Sequence, residues 1–96
     1  MSLSYYTRTQ IIEILEIEAH YLVLLEQEAI VIRDAPPGSA GEFSGRMLER
    51  ARVAHNLTHE LDVNLAGAAI IVRMREQMQR QRQQVERFLA ELEQSS

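Results

Sequence analysis

The residues best suited to chemistry in this chain are two histidines, His55 and His59, and three carboxylates, Glu13, Glu16 and Glu18. His55 and His59 stand four apart, a spacing that puts both imidazoles on one helix face and can grip Zn or Ni. Glu60 and Asp62 are near, yet no third ligand stands at a defined spacing. No Glu lies between the histidines in the HExxH manner either. Two such histidines read as packing or surface residues, and His20 stands alone, so no metal site is expected. The three Glu read first as a solvated helix face, and second as a partner-binding surface. No activated nucleophile and no phosphate-cradling glycine loop is present, so the chain is expected to be neither an enzyme nor a cofactor carrier.

The totals set the frame for these residues. Ninety-six residues make one domain, with 46% hydrophobic and 25% charged residues, in the range of folded proteins. No run approaches the ~18 apolar residues of a membrane span, and no basic segment precedes an apolar one as in a signal peptide. A cytoplasmic protein is therefore expected, in which the sequon at Asn56–Thr58 is idle. Without Cys, stability must come from packing or from a partner subunit. All the basic residues are Arg. Residues 1–43 carry seven acids against Arg8 and Arg33, a net charge of −5, whereas residues 44–96 carry seven acids against eight Arg, a net of +1. The N-terminal half is an acidic module.

The pattern of elements is mainly helical. "YYTRTQIIEILEI" opens with a capping box, Thr7 with Gln10, and a short helix carrying Ile11, Ile12, Ile14 and Leu15 ends near Glu16 or Ile17. A second helix restarts behind Glu18. It places Leu22, Leu25 and Ala29 on one face and Tyr21, Leu24 and Glu28 on another, completing a helix-turn-helix. "IVIR" alternates β-branched residues, "DAPPGSAG" is turn chemistry, and "EFS" can return as the partner strand, a small β-ribbon or wing. From Gly45 a helix repeats Met47 or Leu48, Ala51, Ala54 or His55, Leu57 or Thr58, and Leu61 at three and four. The chain turns at Asp62 and Val63, and Asn64 caps a last helix that runs from Leu65 to about Glu93. Gly67 in its first turn costs roughly 1 kcal/mol against Ala. The expected reason is close backbone approach of another element, so Leu61, Asn64 and Gly67 mark a tight helix junction.

Ile71, Met78, Val85 and Leu92 are seven apart in that last helix, with Met74, Gln81 and Phe88 in the other heptad core position. Three heptads of this kind predict a dimerising coiled coil, with Ile71, Met74, Met78, Val85, Phe88 and Leu92 in the interface. Arg73, Arg80 and Arg87 on one flank, and Arg75 and Arg82 on another, are interleaved with Glu76 and Glu86. They read as a solvated coil flank rather than a nucleic-acid stripe. The expected organisation is a module over residues 1–62, with its connecting helix, and a coil over residues 63–94.

This order of parts resembles the MerR-type winged helix-turn-helix. Within that superfamily, "RVAHNLTHELDVNLAGAAIIVRMREQM" at residues 52–78 looks like the matching stretch of the chaperone-modulator (CbpM-like) family. His59, Glu60, Leu61, Gly67, Ala69 and Met74 stand at the matching spacing. The run from Val63 to Gly67, "VNLAG", also resembles the heat-shock-repressor branch of MerR proteins. The layout covers nearly the whole chain; only residues 52–78 match in letters.

Departures separate the two branches. DNA-binding MerR proteins resemble one another in an Arg-Tyr-Tyr run on the second helix, a Gly before the wing, and Arg and Tyr around a wing Gly. Here Val23, Leu24 and Leu25 stand in place of the first and Ala29 in place of the Gly, while the wing keeps only Arg33. Affinity for duplex DNA rests on cations that displace counterions, which a module at −5 does not supply. The resemblance to the chaperone modulators implies a homodimer that binds the J-domain of a DnaJ/CbpA-type co-chaperone and blocks its use of the Hsp70 (DnaK) partner. An acidic helix-turn-helix suits a basic helix of such a partner, with Glu13, Glu16, Glu18, Tyr21, Leu24 and Glu28 as the binding face. The alternative is a DNA-binding regulator of the heat-shock-repressor type.

Overall fold

The computed structural model describes residues 5–95, and every structural statement below concerns these. The order of elements is β1 (Tyr5–Tyr6), α1 (Arg8–Leu15), α2 (Ala19–Gln27), β2 (Phe43–Ser44), α3 (Gly45–Glu60) and α4 (Leu65–Ser95). The sheet has two strands, β1 and β2.

The capping box forms as expected: Thr7 Oγ1 accepts from the Gln10 N–H at 3.1 Å, and the Gln10 side chain accepts from the Thr7 N–H at 2.9 Å. Helix α1 stops because Glu16 takes left-handed backbone angles, φ 55°. That bend tucks Ile17 into the core, with its N–H donating to the Ile12 carbonyl at 3.2 Å. Glu18 is then the N-cap of α2, and an ion pair between Arg8 and Glu26 ties the two helices together. Leu22 and Leu25 are buried as the pattern predicts. Ala29 lies beyond the helix, exposed and left-handed at φ 56°.

The wing departs from expectation. "EFS" does become a strand, but β2 pairs antiparallel with β1, Tyr5 opposite Ser44 and Tyr6 opposite Phe43, and "IVIR" is not a strand. The hydrogen bonds explain why. The N–H groups of Ile30 and Val31 both donate to the Leu25 carbonyl and close α2, while that of Ile32 meets the Met47 sulfur at 3.4 Å. Ile30 and Val31 are consecutive and both buried, which an alternating strand would not allow. The remaining loop folds back on itself, with the Asp34 and Ala35 N–H groups donating to the Glu42 carbonyl at 3.1 and 3.2 Å. Its tip is a turn from Pro36 to Ser39, with Gly38 at φ 87° supplying the conformation that disfavours other residues. Gly41 is required for a different reason: a Cβ there would lie 2.4 Å from the Tyr6 carbonyl carbon.

Ser44 caps α3 by accepting from the Met47 N–H at 3.3 Å, and is itself held by the Asp34 carboxylate. Met47, Ala51 and Ala54 then face a core built from Ile11, Ile17, Leu22, Leu25, Ile30, Val31 and Phe43. Ala68, Ala69 and Val72 of α4 belong to the same core, so the first two turns of the last helix are part of the body. Beyond them α4 leaves it: every residue from 77 to 95 is exposed. The radius of gyration, 16.2 Å, reflects this arm, since a compact chain of this length would measure about 12.5 Å.

The junction is built otherwise than expected. Asp62 is left-handed at φ 57°, and Asn64 Oδ1 accepts from the Gly67 N–H at 2.7 Å. A Cβ at Gly67 would meet Asn64 Oδ1 and Val63 Cγ1, both at 3.2 Å. Gly67 thus makes room for the cap of its own helix, not for the backbone of a neighbour, while Ala68 and Ala69 carry the contact with the body. Leu61 caps α3 with its side chain 68% exposed, outside the core face that its spacing suggested.

Candidate partner-binding site

The turn between α1 and α2 stands over the C-terminal half of α3, and between them lies a cleft of about 360 Å³. Glu16 and Glu18 come from the turn, Tyr21 and Leu24 from α2, and His55 and His59 from α3. The structure therefore brings together four of the six residues expected to bind a partner. Glu13, exposed on α1, does not line the cleft, and Glu28 caps the far end of α2.

Tyr21 is the hinge of the site. It is half-buried rather than solvent-facing, because the four-residue spacing of His55 and His59 presents two imidazoles beneath it. Its ring meets His55 edge-on at 5.5 Å and His59 at 5.2 Å, and the two imidazoles stack at 4.1 Å. Its hydroxyl shares a hydrogen bond with Thr58 Oγ1 at 2.7 Å. Burial pushes the Tyr21 phenol above its ordinary value, a shift partly offset by the bond to Thr58. The His55 imidazole is held below its ordinary value, first by burial and then by His59 beside it, against a smaller opposing pull from Glu60. The histidines sit in an aromatic cluster, and among the described residues no group of three or more His, Cys, Asp or Glu is placed to hold a metal ion. Sequence reasoning left His55 and His59 outside the binding face. The signal was an aromatic residue on α2 facing two histidines one turn apart, legible only once α2 is laid on α3.

The charge around the helix-turn-helix is lopsided. Helix α2 carries no Arg, and Arg8 is occupied by Glu26. Arg33 in the loop is the one cation of residues 5–43 without an ion-pair partner among the described residues. The Arg residues at the start of the coil differ from the solvated flank expected of them. Arg73 donates to the Glu28 carbonyl at 3.4 Å, Arg75 pairs with Glu49 on α3, and Glu76 holds both Arg46 and Arg50. These partners lie 26 to 45 residues away in the chain, beyond any local pattern.

The heptad-spaced residues Ile71, Met74, Met78, Val85, Phe88 and Leu92 of α4 are between 38% and 65% exposed, as is Leu89, which lies outside the heptad positions. The first of them line an open groove of about 450 Å³ together with Arg75, Gln79 and Arg82. No helix among the described residues is long and apolar enough to cross a membrane.

Two short helices, a loop pinned to a small sheet, and two longer helices are consistent with a MerR-like winged helix-turn-helix. Residues 6–90 match the family described as MerR HTH family regulatory protein, and the chain belongs to that family. No curated protein and no solved structure matches it.

Proposed function

We propose that this MerR-family regulator acts on a protein rather than on DNA, as a non-enzymatic modulator. It binds the J-domain of a DnaJ/CbpA-type co-chaperone and competes with the Hsp70 (DnaK) partner. The observation that carries this reading is the face of the helix-turn-helix. It presents Glu16 and Glu18 beside Tyr21 and Leu24, with Glu13 exposed on α1 and Glu28 at the far end of α2 adding acidic charge, while its one helical Arg is occupied by Glu26. Such a face attracts a basic helix through long-range charge and holds it through the apolar centre. It repels a phosphate backbone for the same reason. The exposed stripe on α4 supports self-pairing into a coiled-coil dimer, with the acidic module of residues 1–62 hung on a coil from residue 63 onward.

A DNA-binding regulator of the heat-shock-repressor type is the second reading. The family description, a regulatory helix-turn-helix protein, fits it more directly than it fits the chaperone modulator. A pull-down from the source cell separates the two. The first reading expects a DnaJ-type protein to be retained by the wild-type chain and lost with the Glu residues reversed. Enrichment of a promoter fragment with no co-chaperone would establish the second.

A further inference from the structure

Resting on the reading of this face as a protein-binding surface, we propose that the cleft between the α1–α2 turn and α3 is a receptor for one cationic side chain, Arg or Lys, of the partner's basic helix. Three features of the cleft select that occupant. Its floor is aromatic, Tyr21 against His55 and His59, and a guanidinium or ammonium is attracted to aromatic faces. Its rim carries Glu16 and Glu18, and neither makes an ion pair within the described residues. The Glu18 side chain makes no capping hydrogen bond to α2, which leaves its carboxylate available to a ligand. No Arg lines the cleft, and Leu24 offers the apolar wall along which a long alkyl stem can lie. An anionic side chain would be repelled by the two carboxylates, and a neutral one would gain no charge attraction from them.

The same geometry gives the receptor a sense of pH. The groups facing it are Glu16 and Glu18 from the turn, His20 and Tyr21 from α2, and His55, Thr58, His59 and Glu60 from α3. The half-buried His55, held below its ordinary value, is uncharged near neutral pH. Protonating His55 as pH falls through its lowered value adds positive charge to the floor and weakens the hold on a cation.

The test titrates the full chain with Nα-acetylarginine amide and, separately, with the isosteric neutral Nα-acetylcitrulline amide. The ring signals of Tyr21, His55 and His59 are followed by NMR. The arginine probe is expected to give saturable shifts at those rings, at least about tenfold tighter than citrulline. That preference should vanish in the Glu16→Gln/Glu18→Gln variant and shrink in the wild type as pH falls through the lowered His55 value. Both Glu are exposed, so the variant keeps its fold, which circular dichroism verifies. Equal responses to the two probes, or none to arginine, would overturn the inference. Binding of a J-domain is measured in parallel. A chain that prefers arginine but ignores the J-domain contradicts the proposed function alone. A J-domain bound equally by wild type and the Gln variant contradicts the receptor alone.

Discussion

Arg50 on α3 grips Glu76 on α4 with two parallel hydrogen bonds, Nε to Oε2 at 3.0 Å and Nη2 to Oε1 at 2.6 Å. The same guanidinium donates to the Ile30 carbonyl in the loop after α2, and Arg46 reaches Glu76 from one turn earlier. Two Arg of α3 thus converge on one α4 carboxylate whose side chain is only 13% exposed, and Arg50 links that pair to the segment after α2. This clamp sits where α4 leaves the body, and it fixes the angle at which the arm departs.

Glu76 is expected to carry a measurable share of stability. The Arg50 and Arg46 hydrogen bonds outweigh its partial burial and hold its carboxyl at about 2 against an ordinary 4.5. A carboxyl depressed in the folded state contributes fully above its unfolded value and loses that contribution as pH falls through the folded one. Glu76→Gln should cost roughly 2–3 kcal/mol at pH 7, because two guanidinium groups are left facing a neutral amide. The difference from wild type should shrink as pH falls from 4.5 towards 2. Urea unfolding of both proteins at pH 7 and pH 3 checks this. A penalty of the same size at both would show that the charge of Glu76 is not what matters.

Gly41 tests the pairing of β2 with β1. In Gly41→Ala the new methyl would press on the Tyr6 backbone, which cannot move without breaking the sheet. A loss of about 1–3 kcal/mol is expected in thermal unfolding. Gly38→Ala, with open space around it but φ 87°, should cost less, through backbone strain alone. Equal tolerance of both substitutions would favour the hairpin of "IVIR" with "EFS" over the observed pairing.

The seam on α4 should make the protein a dimer. Met78→Asp with Val85→Asp places two charges in that seam, at a cost of several kcal/mol once buried. Sedimentation should show a dimeric parent and a monomeric variant with unchanged helix content in the body. A monomeric parent would remove the coil from the account.

Much of this fold is legible in the sequence because its signals are local. The Thr7–Gln10 box, the break at Glu16, the start of α2 behind Glu18 and the cap at Asn64 all follow from residues within a turn of one another, whereas packing against the body selects Met47 over Leu48 and Ala54 over His55 as the buried face of α3. The strand pairing was misread because β1 is only two residues, and its partner is chosen by packing of Phe43 rather than by a hairpin turn. Leu61 was misread because the spacing of apolar residues continues past the last core contact of α3. Of the four candidate residues that meet at the cleft, Glu16 and Glu18 are exposed as their sequence context suggests, while Tyr21 and Leu24 are half-buried. The histidine floor and the Glu76 clamp were not legible, since each joins elements far apart in the chain.

The most direct measurement of the central claim is the association rate with the source organism's own J-domain, by surface plasmon resonance across a range of salt. Wild type is compared with Glu13→Arg/Glu16→Arg/Glu18→Arg. All three Glu are exposed, so circular dichroism should find the helices intact. The account predicts fast, salt-sensitive association for wild type, and association that is sharply slower and nearly flat in salt for the variant. Tyr21→Phe, which removes only the Thr58 bond, should leave that rate alone. Unchanged kinetics in the folded triple variant, or tight salt-sensitive binding of duplex DNA in place of the J-domain, would contradict it.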